Sequence, residues 1–375
     1  MRTFGCEEEL LLMSQSSGVP VAIGTTLLRV HEQRLSEAKV DAASGPSLTG
    51  ELQQEMVEAV TTPHSSLDEL RVELIAGRLT ADAAAREHGA RAVALAVSPY
   101  PVQPHPSESE RYATIAEMWG RTARESLMCG LHVHVSVESP DEGAGILDRV
   151  RVWLPAVLAL SANSALYDGE DTGHASYRYS RLYRWPCAGP LDLFGSAEAY
   201  HAFEAELLAT GALLDQGLLT FDARLSRSYP TVEIRISDVC LLAEDSAVIA
   251  GVVRALVEIA AQEWQRGMPA PLVSTPSVRL ASVMAAQSGV RGDLVDPRTG
   301  SAASAADVIK GLLDRITPAL ALYGDDVAIS EGIARILERG NGADWQRKRL
   351  RATGRLDTVI AEAAEMTTRG IIWEA

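Results

Sequence analysis

An α+β fold is predicted for this 375-residue chain on three observations. Short segments with period-two alternation come first, long helical segments take over after about residue 243, and no internal repeat or Gly-, Ser- or Pro-rich linker divides the two. Hydrophobic residues make up 47% of the chain, enough for a substantial core. The simplest organisation is one domain over residues 1–375, with helices packed on one side of the strands.

In chain order, Glu7-Glu8-Glu9 runs into Leu10-Leu11-Leu12 as a strand, which sets Glu7 and Glu9 on one face. Met56–Thr61 also has strand character, placing Glu58 on a strand and Glu51 on the turn before it, although this segment also fits an exposed helix. Ser66-Leu67-Asp68-Glu69 has capping-box spacing and opens an amphipathic helix that stops near Gly89. Arg91–Ser98 reads as a strand, and the proline-bearing stretch Tyr100–Pro106 as an ordered loop before a helix over 108–127.

The clearest strand is Leu131–Glu138, where one face is apolar and the other carries His132 and His134. Ser139-Pro140 supplies an N-cap and a first-turn proline for a helix over 140–166, with a kink expected at Pro155. A polar loop over 167–195 precedes a helix over 196–213. Thr231–Ser237 repeats the alternation with Glu233 and Arg235 on its polar face. The remaining chain is mostly helical, broken at Gly289–Gly300 and Gly324-Asp325.

The net charge of −16, with no Lys/Arg block, argues against nucleic acid or an anionic membrane as partner. A bound polyanion such as ATP would need cations as intermediaries. No secretory segment precedes the first acidic cluster and no stretch reaches about 18 apolar residues, so a cytoplasmic protein is expected. Cys6, Cys129, Cys187 and Cys240 form no CxxC pair and are expected to be buried reduced thiols.

Each candidate group has an ordinary structural reading by itself. Glu7 and Glu9 could be a solvated strand entry, His132 and His134 a polar strand face, and Glu233 and Arg235 a cross-strand charge pair. Together, three strands present carboxylates, imidazole and a guanidinium on polar faces, a set that favours magnesium or manganese over zinc and implies a phosphate-bearing substrate.

Six motifs carry a resemblance to a known family. They are Gly5-x-Glu7-x-Glu9, the Glu51 to Glu58 segment ending in Thr62-Pro63, Gly130-Leu131-His132-Val133-His134, Asp171-Thr172-Gly173-x-Ala175-Ser176-Tyr177-Arg178, Trp185-Pro186-x-Ala188-Gly189-Pro190 and Tyr229–Arg235. In order and spacing, from about residue 3 to 350, they resemble the YbdK-type carboxylate–amine ligases of the glutamate–cysteine ligase type 2 group, related in fold to the glutamine synthetase catalytic domain.

That resemblance implies an antiparallel, curved, incomplete barrel-like sheet with helices outside and metal–ATP on the concave face. It further implies one magnesium ion held by Glu9, Glu51 and Glu58 and a second by Glu7, His132 and Glu233. Arg235 would face the transferred γ-phosphate or the substrate carboxylate. The implied reaction joins a small-molecule carboxylate to an amine through an acyl phosphate, with ATP and Mg2+ (or Mn2+) as cofactors.

The loop Asp171–Arg184 is the candidate lid, with Arg178, Arg181 and Arg184 as candidate substrate- or nucleotide-binding residues. The C-terminal helices offer surface for a homodimer. Two competing readings are a metal-dependent amidohydrolase, suggested by the His-x-His strand, and a family member that binds nucleotide or amino acid without ligating it.

Overall fold

The computed structural model describes residues 1–38 and 45–369. Its centre is an antiparallel seven-stranded sheet built from β1 (Phe4–Ser14), β2 (Ser47–Thr49), β3 (Met56–Val60), β4 (Ala90–Val93), β5 (Gly130–Ser136), and two later strands. Between β5 and those strands lies a two-stranded hairpin, β6 (Leu166–Tyr167) and β7 (Glu170–Asp171). The sheet is completed by β8 (Ala223–Leu225) and β9 (Thr231–Asp238). Its order is β2-β3-β1-β5-β9-β8, with β4 pairing the far end of β1.

Among the helices, α1 (Gly24–Ala38) follows β1, and α2 (Leu67–Arg86) starts where the sequence predicts, with the Ser66 side chain accepting a hydrogen bond from Glu69 N. α3 (Glu110–Trp119) and α4 (Arg121–Arg124) replace the single helix expected over 108–127. Gly120 lies between them at φ +52°, a backbone state open to glycine but costly for other residues, so the helix ends there.

The helix expected over 140–166 is likewise two, α5 (Pro140–Val150) and α6 (Leu154–Ser161). Pro155 sits in the first turn of α6, where its missing N–H costs nothing, so it starts a helix instead of kinking one. The expected strand Arg91–Ser98 is only β4, because the chain leaves the sheet after Val93. The loop over 167–195 contains the β6–β7 hairpin and the short helix α7 (Tyr177–Leu182), and the next helix, α8 (Ala197–Ala209), is shorter than expected.

α9 (Ala243–Gln265), α10 (Thr275–Ser288), α11 (Ala305–Tyr323), α12 (Asp326–Arg339), α13 (Gly342–Thr353) and α14 (Leu356–Thr367) form the helical C-terminal part. The break at Gly289–Gly300 holds a further hairpin, β10 (Asp293–Asp296) with β11 (Ser301–Ser304). Among the described residues, no helix is long and apolar enough to cross a membrane.

The sheet has two chemically distinct faces. Behind it, Cys6, Leu131, Val133, Val135, Val232, Ile234 and Ile236 pack with α9 residues such as Val253 and Leu256 in the main core. Glu8 also points to this side, where Arg78 of α2 and Ser246 of α9 hold its carboxylate. All four cysteines are free and buried. The other face carries the candidate site.

Candidate active site

Strand register assembles the site. Glu9 of β1 lies directly opposite Glu58 of β3, and Glu7 lies opposite His132 of β5. His134 lies opposite Glu233 of β9, which in turn lies opposite Arg224 of β8. Directly opposed residues stand within side-chain reach, so five strands converge on one polar floor. Glu51, on the turn before β3, completes it.

Glu9, Glu51 and Glu58 each offer an oxygen within 4.8 Å of the others, the trio the resemblance implied for one metal ion. The second implied trio is split. Glu7 and Glu233 gather with His134, while Glu7 and His132 gather with Glu58. The reason is register: His132 stands against Arg235 and Ile236, where the β5–β9 pairing is irregular, and Glu233 faces His134.

Electrostatics distinguishes the two ends of this floor. Burial raises the Glu51 carboxyl to about 8, helped by the Glu9 charge, although part of Glu51 faces the cavity. Burial and the charges of Glu51, Glu7 and Glu9 hold Glu58 well above the usual carboxylate range. Three carboxylates crowded in this way repel one another, and hard oxygen donors at this spacing fit a divalent cation such as Mg2+ or Mn2+.

At the other end the carboxylates are already compensated. Burial alone would raise Glu7, but the imidazoles of His132 and His134 bring it far below its ordinary value. Burial would also raise Glu233, yet Arg235 and Arg224 depress it strongly. Arg224 Nε donates to Glu233 Oε2 at 2.7 Å, and Arg235 Nη1 also donates to Glu233. Arg235 reaches His132 Nδ1 at 3.4 Å, which puts its guanidinium over the middle of the floor.

Arg178 is the one arginine of the 178–184 segment that enters the cleft. It is only 4% exposed, and Nη1 donates to Ile236 O at 3.3 Å. Its guanidinium lies so close to Gly130 that a Cβ there would stand 2.3 Å from Nη2, which explains a glycine beside the Glu9 contact. Arg181 and Arg184 turn away: Arg181 donates to Glu125 O at 2.8 Å and Arg184 to Glu125 Oε2 at 2.9 Å. Nor is the 171–184 segment a free flap, since Tyr179 is buried and hydrogen-bonded to Asp222 Oδ2 at 2.9 Å.

These groups line a cleft of about 350 Å³ that holds Glu7, Glu9, Glu51, Glu58, His132, Arg178, Arg224 and Arg235 in its walls. Arg224, Arg111 and Tyr112 were not anticipated from the sequence. Arg224 had a usable signal, since Asp222, Arg224 and Ser226 alternate with Ala223 and Leu225. Arg111 and Tyr112 had none, because α3 reaches the cleft only through tertiary packing. The histidines a hydrolase would recruit lie elsewhere: His174 contacts its own loop, and His201 pairs with Glu204.

Such a face, rich in carboxylates, with one buried and two half-buried arginines, on an antiparallel sheet backed by helices, defines an α+β protein suited to polyvalent cations and phosphate. The chain belongs to Glutamate-cysteine ligase family 2 (GCS2), matched over residues 3–366. It is 47% identical over 367 residues to a Paenarthrobacter aurescens (strain TC1) protein named for glutamate–cysteine ligase 2-1, covering 98% of this chain and 95% of that one. A Streptomyces coelicolor protein named for glutamate–cysteine ligase 2 is 42% identical, covering 98% and 99%.

Among solved structures, the glutamate–cysteine ligase of Francisella tularensis in complex with AMP has a TM-score of 0.65 at 14% identity, covering 98% of this chain and 89% of that one. A bifunctional glutathione synthetase from Pasteurella multocida gives 0.69 at 13%, covering 98% and 52%. The fold is therefore that of glutamate–cysteine ligases, and the expected antiparallel sheet with helices outside it is what the chain forms.

Proposed function

We propose that the protein is an ATP-dependent ligase that joins a carboxylate to an amine through an acyl phosphate, using the cleft on the polar face of the sheet. The whole chain is read as one catalytic domain, because α2 and α9 pack directly on the back of the strands that carry the site. The observation that supports the reading most is the strand register, which gathers Glu7, Glu9, Glu58, His132, His134 and Glu233 around Arg235.

Glu9, Glu51 and Glu58 would hold one divalent cation, and Glu7 and Glu233, with His132 or His134, a second. Bound there, Mg2+ supplies charge neutralisation for the triphosphate and for the carboxylate that attacks it. The protein's own part is positional and electrostatic. Arg235, held in its cationic form by Glu233, faces the transferred phosphoryl group and lowers the cost of bringing two anions together. Arg178 lines the cleft and is the arginine we assign to a substrate carboxylate.

In the first step the substrate carboxylate oxygen bonds to the γ-phosphorus and ADP leaves. In the second, the amine nitrogen bonds to the acyl carbon, the carbon–oxygen bond to phosphate breaks, and one proton leaves the nitrogen with the phosphate. The relatives are named for glutamate and cysteine as substrates, and glutamate is the first carboxylate to try.

The test is ADP release from the purified protein with Mg-ATP and paired panels of carboxylates and amines, with mass spectrometry of the products. Release that needs both partners and yields an amide supports the ligase. Tight Mg-ATP binding without turnover across the panels points to a binding role instead.

A further inference from the structure

The cleft floor has two ends, because Glu7 and Glu9 are two residues apart on β1 and so stand roughly 6.5 Å apart. The Glu7 end is polar and charge-compensated. There Arg235 and Arg224 meet Glu233, and Arg224 also lines an adjoining cavity of about 310 Å³ with Arg227, Ser226 and Ser228. A triphosphate finds its counter-charges and hydrogen-bond donors at this end.

The Glu9 end is different. Beyond Gly130, whose N–H donates to Glu9 and beside which the Arg178 guanidinium lies, the cleft is lined by half-buried Met128 and Leu182 backed by buried Trp185 and Ile115, with Arg111 and Tyr112 also in its wall. Trp185 Nε1 is engaged with Ser126 Oγ at 3.1 Å, and Trp119 lies against its ring at a centroid distance of 5.8 Å. With its one polar atom occupied, the indole offers only apolar surface to the cleft. This apolar wall continues directly into the carboxylate floor, within the same cavity.

We propose that the Glu9 end receives the body of the amine substrate, and that this body is large and apolar, an aromatic or branched aliphatic amine. The inference rests on the ligase reading. A small polar amine such as cysteine would leave the Trp185–Met128–Leu182 wall wet, whereas each further methylene buried on it strengthens binding about fourfold. Seated there, the amine directs its nitrogen toward the floor where the acyl group is formed, and its apolar body excludes water that would hydrolyse the acyl phosphate.

The experiment is initial-rate kinetics with Mg-ATP, glutamate as the carboxylate, and the series cysteine, ethylamine, butylamine, benzylamine and phenethylamine. The expected result is kcat/KM rising at least tenfold from ethylamine to phenethylamine. In Trp185→Ala, and independently in Met128→Gln should the first variant unfold, kcat/KM for phenethylamine falls at least tenfold while KM for ATP stays unchanged. A preference for cysteine or ethylamine overturns the inference and leaves the ligase standing. A rise in KM for ATP alone in the variants also overturns it, since the wall would then hold the adenine ring. No ADP release with any amine, when the full carboxylate panel is silent as well, removes the ligase reading, and this inference with it.

Discussion

Arg78 and Glu8 form a two-pronged ion pair behind the sheet, with Nε to Oε2 at 2.8 Å and Nη2 to Oε1 at 2.6 Å, and both side chains are buried. The middle carboxylate of the Glu7-Glu8-Glu9 run thus serves the fold, while its neighbours face the cleft. Replacing Glu8 by Ala leaves a guanidinium in the core with only carbonyl and hydroxyl partners, and this should cost about 3–5 kcal/mol. Urea unfolding at neutral pH reads the loss, and a change below about 1 kcal/mol would contradict the structural role.

Glu58 stands at the opposite extreme, a buried carboxylate raised by its own neighbours. Glu58→Gln replaces a carboxyl whose anion burial and its neighbours disfavour, so the metal-free protein should melt at the same temperature or higher. The stabilisation that Mg2+ gives the native protein should shrink, and ADP release should fall at least about 100-fold. Differential scanning fluorimetry in EDTA and in Mg2+, alongside turnover, measures both; an undiminished Mg2+ shift in the variant counts against the ligand assignment.

Asp222 provides a pH signature outside the metal floor. Burial raises its carboxyl to about 7 despite the hydrogen bond from Tyr179. A carboxyl whose folded value lies above its unfolded value stabilises the fold fully below the unfolded value of 3.8, and that contribution is lost as pH rises toward about 7. Asp222→Asn keeps an acceptor for Tyr179 and removes the titration. Between pH 4 and pH 7, native stability should therefore fall relative to the variant by a few kcal/mol. Parallel unfolding curves at the two pH values decide the matter.

Arg184 should prove dispensable. It is partly exposed and paired only with Glu125, which is also partly exposed. Arg184→Ala should change stability by less than about 1 kcal/mol and leave KM for each substrate within about twofold. Arg178→Ala should instead raise KM for a carboxylate-bearing substrate steeply, and equal effects from the two replacements would restore the 178–184 segment as a binding loop.

Much of the site was legible because a β-strand sorts its side chains by parity alone. Glu7 with Glu9, His132 with His134 and Glu233 with Arg235 could be placed on polar faces without any knowledge of which strands pair. Helix starts were legible for a similar reason: Ser66 and Ser139 cap their own helices through contacts three residues away. The helix ends inside 108–127 and 140–166 were less so, because Gly120 and Pro155 are each compatible with several local outcomes and packing selects one.

The sequence by itself determined the acidic character of the cleft, the strands that line it and the ligand types they carry, since these follow from local chirality and alternation. Only the tertiary structure decided which ligands meet. The pairing of β5 with β9 sets His134, not His132, opposite Glu233, and the fold of α7 sends Arg178 into the cleft while Arg181 and Arg184 turn to Glu125. Register and helix docking are set by burial summed over many distant residues, and no short stretch of sequence contains that sum.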